Sequence, residues 1–469
     1  MSKILIIIML ILSCVSPLSG QEILSLDRCR DLVLKHNEAL QQAANQVELA
    51  RQQQAIARTF RLPSFSATAT GIWQDKDLEM ELILPTMKPN PITGELEPNL
   101  MINPATGLPL TGADGNPVFN MYAWMPLEVS LSGAYMAGFQ MEQPIYAGGK
   151  VAAGNKMADI GLEMAGDNMA LQRMNYLLAA DQAYWTYVSL IQKVTLAQQS
   201  VELLEEVMAL AGNSQEVGMS SRNDLLKAQV AFNEAKLALK KAGNGLTLSR
   251  LELCRLTGLP WHSDILPSDT HIVLLPVNDD DITTKGPDRR PDYRLLEKKV
   301  SMEDQQIRLT RADFLPQAGF QAGYQHLGGI KFSGTSFDNT SLNLLVSVKI
   351  PIFHWGEGFR KVTMAKIEKE NSLLELARYR QLMHLEAEQA RMNLELARER
   401  ILLNEAALLQ AEENLRVSRD NYEVRIETMT ALLAAQTQWQ QAYTELIEAR
   451  TDYRIRESQW RKANGILGQ

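Results

Sequence analysis

The segment Gln143-Pro144-Ile145-Tyr146-Ala147-Gly148-Gly149 decides the fold, because a related segment follows 207 residues later: Ile350-Pro351-Ile352-Phe353-His354-Trp355-Gly356. The same offset pairs Val217 with Val424, and the register holds over more than a hundred residues. An internal repeat has to be recognised before any local pattern is interpreted, because each repeat is one structural unit. The chain is therefore predicted to be a duplication.

A second offset shows where the two halves differ in length. Arg58 and the pair Leu62-Pro63 match Arg311 and the pair Leu315-Pro316 at an offset of 253 residues, so the first half carries 46 extra residues. These fall between Lys76 and Pro126, a stretch with eight prolines and several turn-forming glycines. Such a composition is typical of a long surface loop.

Four segments that flank the predicted loops alternate with period two, which indicates β-strands at about 63–74, 127–143, 316–326 and 341–353. A soluble sheet with one buried face would give the same alternation. Lengths near the ~10 residues that cross a bilayer, an export signal and aromatic residues toward both ends favour a membrane barrel. The residues predicted to face lipid are Leu127, Val129, Leu131, Phe139, Leu344, Val346 and Val348.

The remaining chain is predicted to be helical. Proline is absent between Pro144 and Pro260 and again after Pro351. One continuous helix over 150–216 would measure about 100 Å at 1.5 Å per residue. The return segment carries an apolar seam with alternating steps of four and three, which starts at Ala228 and recurs from Ala435. This seam predicts two coiled-coil hairpins, although an ordinary coiled-coil stalk would show it too.

The N-terminus has the features of an export signal. Lys3 precedes an apolar run from Ile4 to Leu12, and cleavage after Gly20 is predicted. A lipoprotein signal that ends before Cys14 stays an alternative. No later run approaches the 18 apolar residues of a membrane helix, so any membrane span is predicted to be β.

Composition excludes several other classes of protein. Of the 469 residues, 45% are hydrophobic and 22% charged, and the formal net charge of −8 argues against a nucleic-acid partner. Three cysteines are too few for a disulfide scaffold, and Cys29 and Cys254 are predicted to be buried thiols. The six histidines form no pair with metal-ligand spacing. No catalytic, cofactor or metal site is therefore predicted.

Four strands cannot close a barrel, and an open edge in lipid would leave backbone groups without hydrogen bonds. The chain is therefore predicted to oligomerise. Two copies would give eight strands around a core filled by side chains, and three copies would give twelve strands around a lumen. Two hairpins from each of three copies would likewise supply twelve helices to a hollow tube.

The chain resembles the TolC-like outer-membrane efflux proteins (outer membrane factors) over essentially its whole mature length. The resemblance rests on the two Leu-Pro strand starts, the two Pro-Ile-aromatic strand ends, Arg290-Pro291-Asp292-Tyr293, and Val217-Gly218-Met219 with Asp224-Leu225. It implies a mainly α fold with a transmembrane β portion. Three copies would form a 12-stranded β-barrel in the outer membrane of a Gram-negative bacterium, and their duplicated hairpins an α-barrel through the periplasm. It also implies a periplasmic adaptor and an inner-membrane pump as partners.

The resemblance assigns roles to the turns between the paired helices. The adaptor-docking tip is expected at Val217, Gly218, Met219, Ser220, Val424, Arg425, Ile426 and Glu427. Asp224 and Tyr422 match positions whose hydrogen bonds and ion pairs hold the family's channel closed. Arg425 stands where the first tip has Gly218, which leaves the geometry of the second turn open. Ala431 and Ala434 match the acidic pair that narrows the family's pore, which weakens the expectation of cation preference.

The predicted layout is a signal peptide (1–20), a first repeat (21–256), a linker (257–290) and a second repeat (291–469). The first repeat has an extracellular loop at 76–126 and a hairpin at 150–256, and the second has a hairpin at 357–465. The predicted function is a passive exit duct of an efflux or type I secretion system, not an enzyme. A general porin and a periplasmic coiled-coil adaptor are the alternatives. The cargo, which could be drugs, metal ions or proteins, stays open.

Overall fold

The computed structural model describes residues 22–85, 87–91, 93–113, 115–120, 124–216, 218–269, 287–332 and 335–468. In some of these stretches, including 76–85 and 124–132, only the backbone is described. The predicted signal peptide, Cys14, Val217 and residues 270–286 of the predicted linker lie outside the described residues. The chain divides into a helical unit (Met1–Gln54, Lys156–Gln306, Met364–Gln469) and a sheet unit (Ala55–Asn155, Ile307–Thr363).

The sheet unit is built on four antiparallel strands in the order β2-β5-β7-β8: β2 (Ser64–Pro85), β5 (Trp124–Ala147), β7 (Gln317–Phe332) and β8 (Thr335–Lys349). The register pairs Ser64 with Glu142, Glu142 with Gln321, and Gln317 with Lys349. The start of β2 and the end of β8 therefore lie at the same end of the sheet. Within the described residues, β2 and β8 each pair on one side only.

The register places apolar side chains on one face of all four strands. Phe139 pairs with Ala67 on one side and with Tyr324 on the other, and Tyr324 pairs with Leu342. Phe139 is 72% exposed and Leu344 66% exposed. The alternate positions carry mostly polar groups: Thr68, Gln140, Gln321, Gln325 and Asn343. The sheet thus has one apolar and one mainly polar face, and the apolar side chains described on it are largely exposed.

All four strands run further toward their connecting segments than the sequence predicts, with β7 reaching Phe332 and β8 starting at Thr335. β2 continues to Pro85 and β5 begins at Trp124, so both extend into the 76–126 segment predicted as loop. The charged residues between Asp75 and Glu81 are typical of a loop, so the sequence pattern does not indicate a strand there. Between the long strands, β3 (Met87–Pro89) and β4 (Leu96–Pro98) form a short hairpin. The predicted loop is therefore partly an extension of the sheet.

The helical unit repeats the duplication in its element lengths. Helix α1 (Leu26–His36) precedes α2 (Glu38–Thr59). Helices α3 (Lys150–Glu216) and α6 (Glu357–Glu423) both have 67 residues, about 100 Å. Their return helices are α4 (Arg222–Thr257) and α7 (Met429–Ala463). Helix α5 (Pro291–Ala312) has 22 residues, like α2. The mainly helical class is confirmed.

No helix in the described part of the chain combines the length and the apolar character needed to cross a bilayer.

The N-terminal strand is fixed to the helical unit by buried hydrogen bonds. β1 (Glu22–Leu24) pairs in parallel with β6 (Ile265–Pro267). The hydroxyl of Tyr184 donates to the Leu24 carbonyl at 3.1 Å, and that of Tyr187 donates to the Ile265 carbonyl at 2.7 Å. Both tyrosines lie in a core cluster that also contains Cys29 and Cys254.

Both cysteines are buried free thiols, as predicted. Burial, and next the negative charge of Asp181, raise the pKa of the Cys29 thiol to about 12, partly offset by Arg30. The raised pKa favours the folded state below the ordinary thiol pKa of 9.0, and this stabilisation is lost as the pH rises from there toward about 12.

We predict that iodoacetamide does not modify Cys29 in the folded protein at pH 8.5, because the thiol is buried and protonated. The same reagent should modify it fully in denaturant. Peptide mass spectrometry measures both states. Rapid labelling of Cys29 in the folded protein would contradict the buried position.

Candidate functional site

The first hairpin tip joins α3 to α4 through a tight turn. Gly218 has a φ of 72°, and its N–H donates to the Gln215 carbonyl at 2.9 Å. The N–H of Met219 donates to the Ser214 carbonyl at 2.8 Å. A left-handed residue after a helix satisfies the last carbonyls in this way, and glycine adopts that conformation with least strain.

The second tip repeats this turn although it has no glycine. Arg425 has a φ of 70°, and its N–H donates to the Tyr422 carbonyl at 3.1 Å. The N–H of Ile426 donates to the Asn421 carbonyl at 2.8 Å. These are the hydrogen bonds of the first tip moved by 207 residues. The left-handed conformation costs a non-glycine residue about 1–2 kcal/mol, yet the turn geometry is unchanged.

Each return helix begins with a hydroxyl cap. The Ser221 hydroxyl accepts from the Asp224 N–H at 3.2 Å, which caps α4, and it donates to the Asp224 carboxylate at 2.8 Å. Thr428 accepts from the Ala431 N–H at 3.2 Å, and Ala431 cannot return the bond. Asp224 is therefore part of the first helix start, and the second repeat has lost the corresponding carboxylate.

The two tips contact each other. The guanidinium of Arg425 donates to the backbone carbonyl of Met219. Lys227 donates to the Thr430 hydroxyl at 2.9 Å. The structure thus brings the two predicted docking turns together, with the left-handed Arg425 as a link between them.

A small apolar core lies under the tips and contains Tyr422. The ring is 6% exposed and lies in a cluster with Val207, Ala211, Ala228, Met429 and Leu432. Burial, and next the charge of Asp224, raise the pKa of the Tyr422 hydroxyl. In the described part of the chain this hydroxyl has no hydrogen-bond partner. Tyr422 and Asp224 are electrostatic neighbours that share no hydrogen bond in this structure.

We predict that Tyr422→Phe stabilises the chain slightly or leaves it unchanged, because a buried hydroxyl without a partner is removed. Tyr422→Ala should lower the free energy of unfolding by about 3–5 kcal/mol, since it opens a cavity in the core. Thermal unfolding followed by circular dichroism compares the two variants. A large loss in Tyr422→Phe would show that the hydroxyl holds the tip.

The predicted lipid-facing residues divide into two groups. Phe139, Leu344, Val346 and Val348 are all exposed on the apolar face of the sheet. Leu127, Val129 and Leu131 lie on β5, but their side chains are outside the described residues. The structure therefore gives a continuous apolar face that the second half of the chain and Phe139 define.

Sequence reasoning missed a buried polar site in the helical unit. Asp181 is fully buried, and its two carboxylate oxygens accept from the Arg30 guanidinium, each at 2.7 Å. Ser458 also donates to this carboxylate, at 2.6 Å. The site joins α1, α3 and α7. The available signal was Asp181, the one charged residue in the largely apolar stretch from Leu177 to Val188.

Among the residues that the structure describes, no three His, Cys, Asp or Glu side chains are grouped so that they could hold a metal ion.

The model of the Outer membrane efflux protein family matches residues 30–259 and 287–465. The chain belongs to this family. It is 23% identical to the alkaline protease secretion protein AprF of Pseudomonas aeruginosa over 249 residues, 52% of this chain and 51% of AprF. It is 21% identical to protein CyaE of Bordetella pertussis over 373 residues, 78% of this chain and 68% of CyaE. The chain thus spans about half the length of AprF.

The fold is also similar to solved structures. The CmeC outer membrane channel of Campylobacter jejuni superposes with a TM-score of 0.69 at 17% identity, covering 94% of this chain and 85% of CmeC. The family match confirms the recognition made from the sequence. It also confirms the predicted location in the outer membrane with an extension into the periplasm. Family members and structural neighbours are channels rather than enzymes.

Proposed function

We propose that this chain is the outer-membrane exit duct of a tripartite efflux or type I secretion system. Three copies form the duct, with twelve strands in the membrane and twelve helices in the periplasm. The observation that carries the proposal is a sheet with an exposed apolar face and two open edges, in a chain that also has two helices of 67 residues. A general porin has no use for such helices.

The open edges favour a ring of copies. A strand edge in the membrane leaves unpaired N–H and C=O groups, each worth several kcal/mol. β2 and β8 are the two outer strands of the sheet, so β8 of one copy can pair with β2 of the next. A head-to-tail contact of this type closes into a ring when the rotation allows it. Twelve strands enclose a lumen, whereas eight are filled by side chains.

Helix α6 supplies independent support for a neighbouring copy. Along its length it exposes a stripe of large apolar side chains that steps mostly by seven and four residues: Ile367, Leu374, Leu385, Met392, Leu396 and Leu403. All six are at least half exposed. Such a stripe is typical of a coiled-coil seam, so it needs a helix from another chain.

The tips are the proposed docking site for the periplasmic adaptor, and the inner-membrane pump supplies the energy. Docking uses Gly218, Met219, Ser220, Val424, Arg425, Ile426 and Glu427 with Val217. Asp224 and Tyr422 belong to the gate under the tips. The duct itself is passive and has no catalytic activity. Residues 76–126 belong to the extracellular side, and 257–290 link the two repeats.

Purified protein in a planar bilayer tests this function. A closed duct should show little conductance alone, and adaptor with pump should co-purify with the wild-type tips. Substitution of both tips, Gly218→Pro with Arg425→Pro, should abolish co-purification and retain outer-membrane insertion. A permanently open pore that binds no adaptor would support a porin, and a soluble monomer would support an adaptor.

A further inference from the structure

The junction between strand and helix differs between the two repeats in a way that concerns the contact between copies. In the first repeat, Gly148 has a φ of 62°, and a Cβ at this position would lie 2.7 Å from the Ala312 carbonyl oxygen. Lys150 forms an ion pair with Asp313 at 2.8 Å. The end of β5 is therefore packed closely against the chain that leads into β7. We call this contact the internal joint.

The duplication predicts an equivalent contact at the open edges. Moved by 207 residues, Gly148 becomes Trp355 and Lys150 becomes Glu357; moved by 253 residues, Ala312 becomes Thr59 and Asp313 becomes Phe60. The partner strand of β5 in the internal joint is β7, whose equivalent is β2. In a ring, the β2 next to β8 comes from the neighbouring copy. Trp355 should therefore face Thr59 of the next copy, beside Phe60.

The chemistry of the internal joint cannot recur at this second position. Trp355 has a side chain where the internal joint has no room for a Cβ. Glu357 is paired with Lys361 on its own helix at 2.6 Å, and Phe60 replaces the carboxylate of Asp313. The contact between copies must be wider than the internal joint, and aromatic groups take the place of the ion pair.

Trp355 is held ready for such a contact. Its φ is 50°, a left-handed conformation that is unusual for a large residue. The indole is 87% exposed and meets the Phe353 ring edge-on at 4.9 Å between centroids. Despite this contact with Phe353, the indole stays largely exposed in a backbone conformation that large side chains rarely adopt. A partner outside the chain would explain both features.

The β2 side of the sheet unit offers a matching receptor. A depression of about 620 Å³ lies beside the start of β2 and the end of β5. Phe60, Arg61, Ile145, Tyr146 and Val151 are among the residues that line it. Its aromatic and aliphatic walls suit an indole ring, and the guanidinium of Arg61 can stack on the indole face.

We infer that Trp355 of one copy inserts into this depression of the next copy and packs against Phe60 there. The inference rests on the proposed ring and adds the residues that form the contact between one copy and the next. Trp355 and the depression lie at opposite edges of the sheet. Each copy therefore inserts its Trp355 into one neighbour and accepts the Trp355 of the other. The competing occupant of the exposed tryptophan is the lipid interface, where aromatic residues also collect.

Photocrosslinking in the intact outer membrane tests the inference. p-Benzoylphenylalanine replaces Phe60, which keeps an aromatic ring at this position. Irradiation should give a product of two chains, and peptide mass spectrometry should locate the link within residues 352–359. Trp355→Ala should remove this product. The same photoreactive residue at Phe139, which is 72% exposed on a central strand, is the matched control and should not link two chains.

A pair of cysteines tests the pairing of β8 with β2 of the next copy separately from the contact of Trp355. Glu142 pairs with Gln321 inside the chain, and the two offsets move this pair to Lys349 and Thr68. Thr68→Cys with Lys349→Cys should therefore form a disulfide between copies. If the disulfide forms while the Phe60 probe links only to lipid or elsewhere, the proposed contact of Trp355 is wrong and the proposed ring of copies is supported. If neither link forms, both proposals fail.

Discussion

Replacing Asp181 with alanine should lower the free energy of unfolding by about 3–5 kcal/mol, the range for breaking a buried ion pair on one side. The carboxylate is fully buried, and it accepts two hydrogen bonds from Arg30 and one from Ser458. Its removal leaves the mostly buried guanidinium with the exposed Asp27 carboxylate, at 3.3 Å, in place of its buried partner, and it removes the polar link from α1 to α3 and α7. Thermal unfolding in detergent, followed by helical circular dichroism, measures the loss.

Asp304→Ala is the matched control for this prediction. Asp304 also forms an ion pair, with Lys369 at 2.7 Å, but its side chain is 47% exposed. Its removal should change stability by no more than about 1 kcal/mol, as is usual for surface ion pairs. If the two alanine variants unfold at the same temperature, the buried site does not hold the helices together.

Leu344→Arg should impair membrane insertion by about 2–4 kcal/mol, the value for an arginine on the lipid face near the bilayer midplane. Leu344 pairs with Ala322 and lies on the apolar face of the sheet. Its neighbour Asn343 pairs with Gly323 and lies on the opposite face. Asn343→Arg therefore adds the same charge at nearly the same depth, but toward the proposed lumen. It should insert almost normally.

The fraction of each variant that floats with outer-membrane vesicles measures this effect. Equal insertion of the two arginine variants would mean that the apolar face does not contact lipid. Loss of both would mean that the strand tolerates no charge on either face, which the polar residues opposite Leu344 argue against. The two positions are adjacent in the chain, so the two variants differ mainly in the face of the sheet that carries the arginine.

The duplication explains why so much of the fold could be predicted from the sequence. Matching strings at two offsets predicted the paired long helices and the positions of the four strands along the chain. In the structure α3 has the same length as α6, and α2 the same length as α5. The strand ends were less accurate, since the charges between Asp75 and Glu81 look like loop residues in a sheet with one polar face. Alternation alone does not say where pairing stops.

Contacts between distant residues could not be predicted in the same way. Asp181 meets Arg30 across 151 positions and Ser458 across 277, and the local pattern, an aspartate in a largely apolar stretch, does not identify these partners. The second tip shows the opposite case. Arg425 in place of glycine left the geometry of the second turn open, and the hydrogen bonds of Ile426 and Arg425 preserve the turn of the first tip. Backbone geometry thus survived a residue change that propensity disfavours.

The number of chains in the assembled particle tests the central claim most directly. Native mass spectrometry of protein extracted from outer membranes gives this number without any variant. Three copies are expected, because twelve strands leave a water-filled passage inside a closed barrel. A monomer, or a dimer whose eight strands enclose only side chains, would contradict the account of this protein as an exit duct.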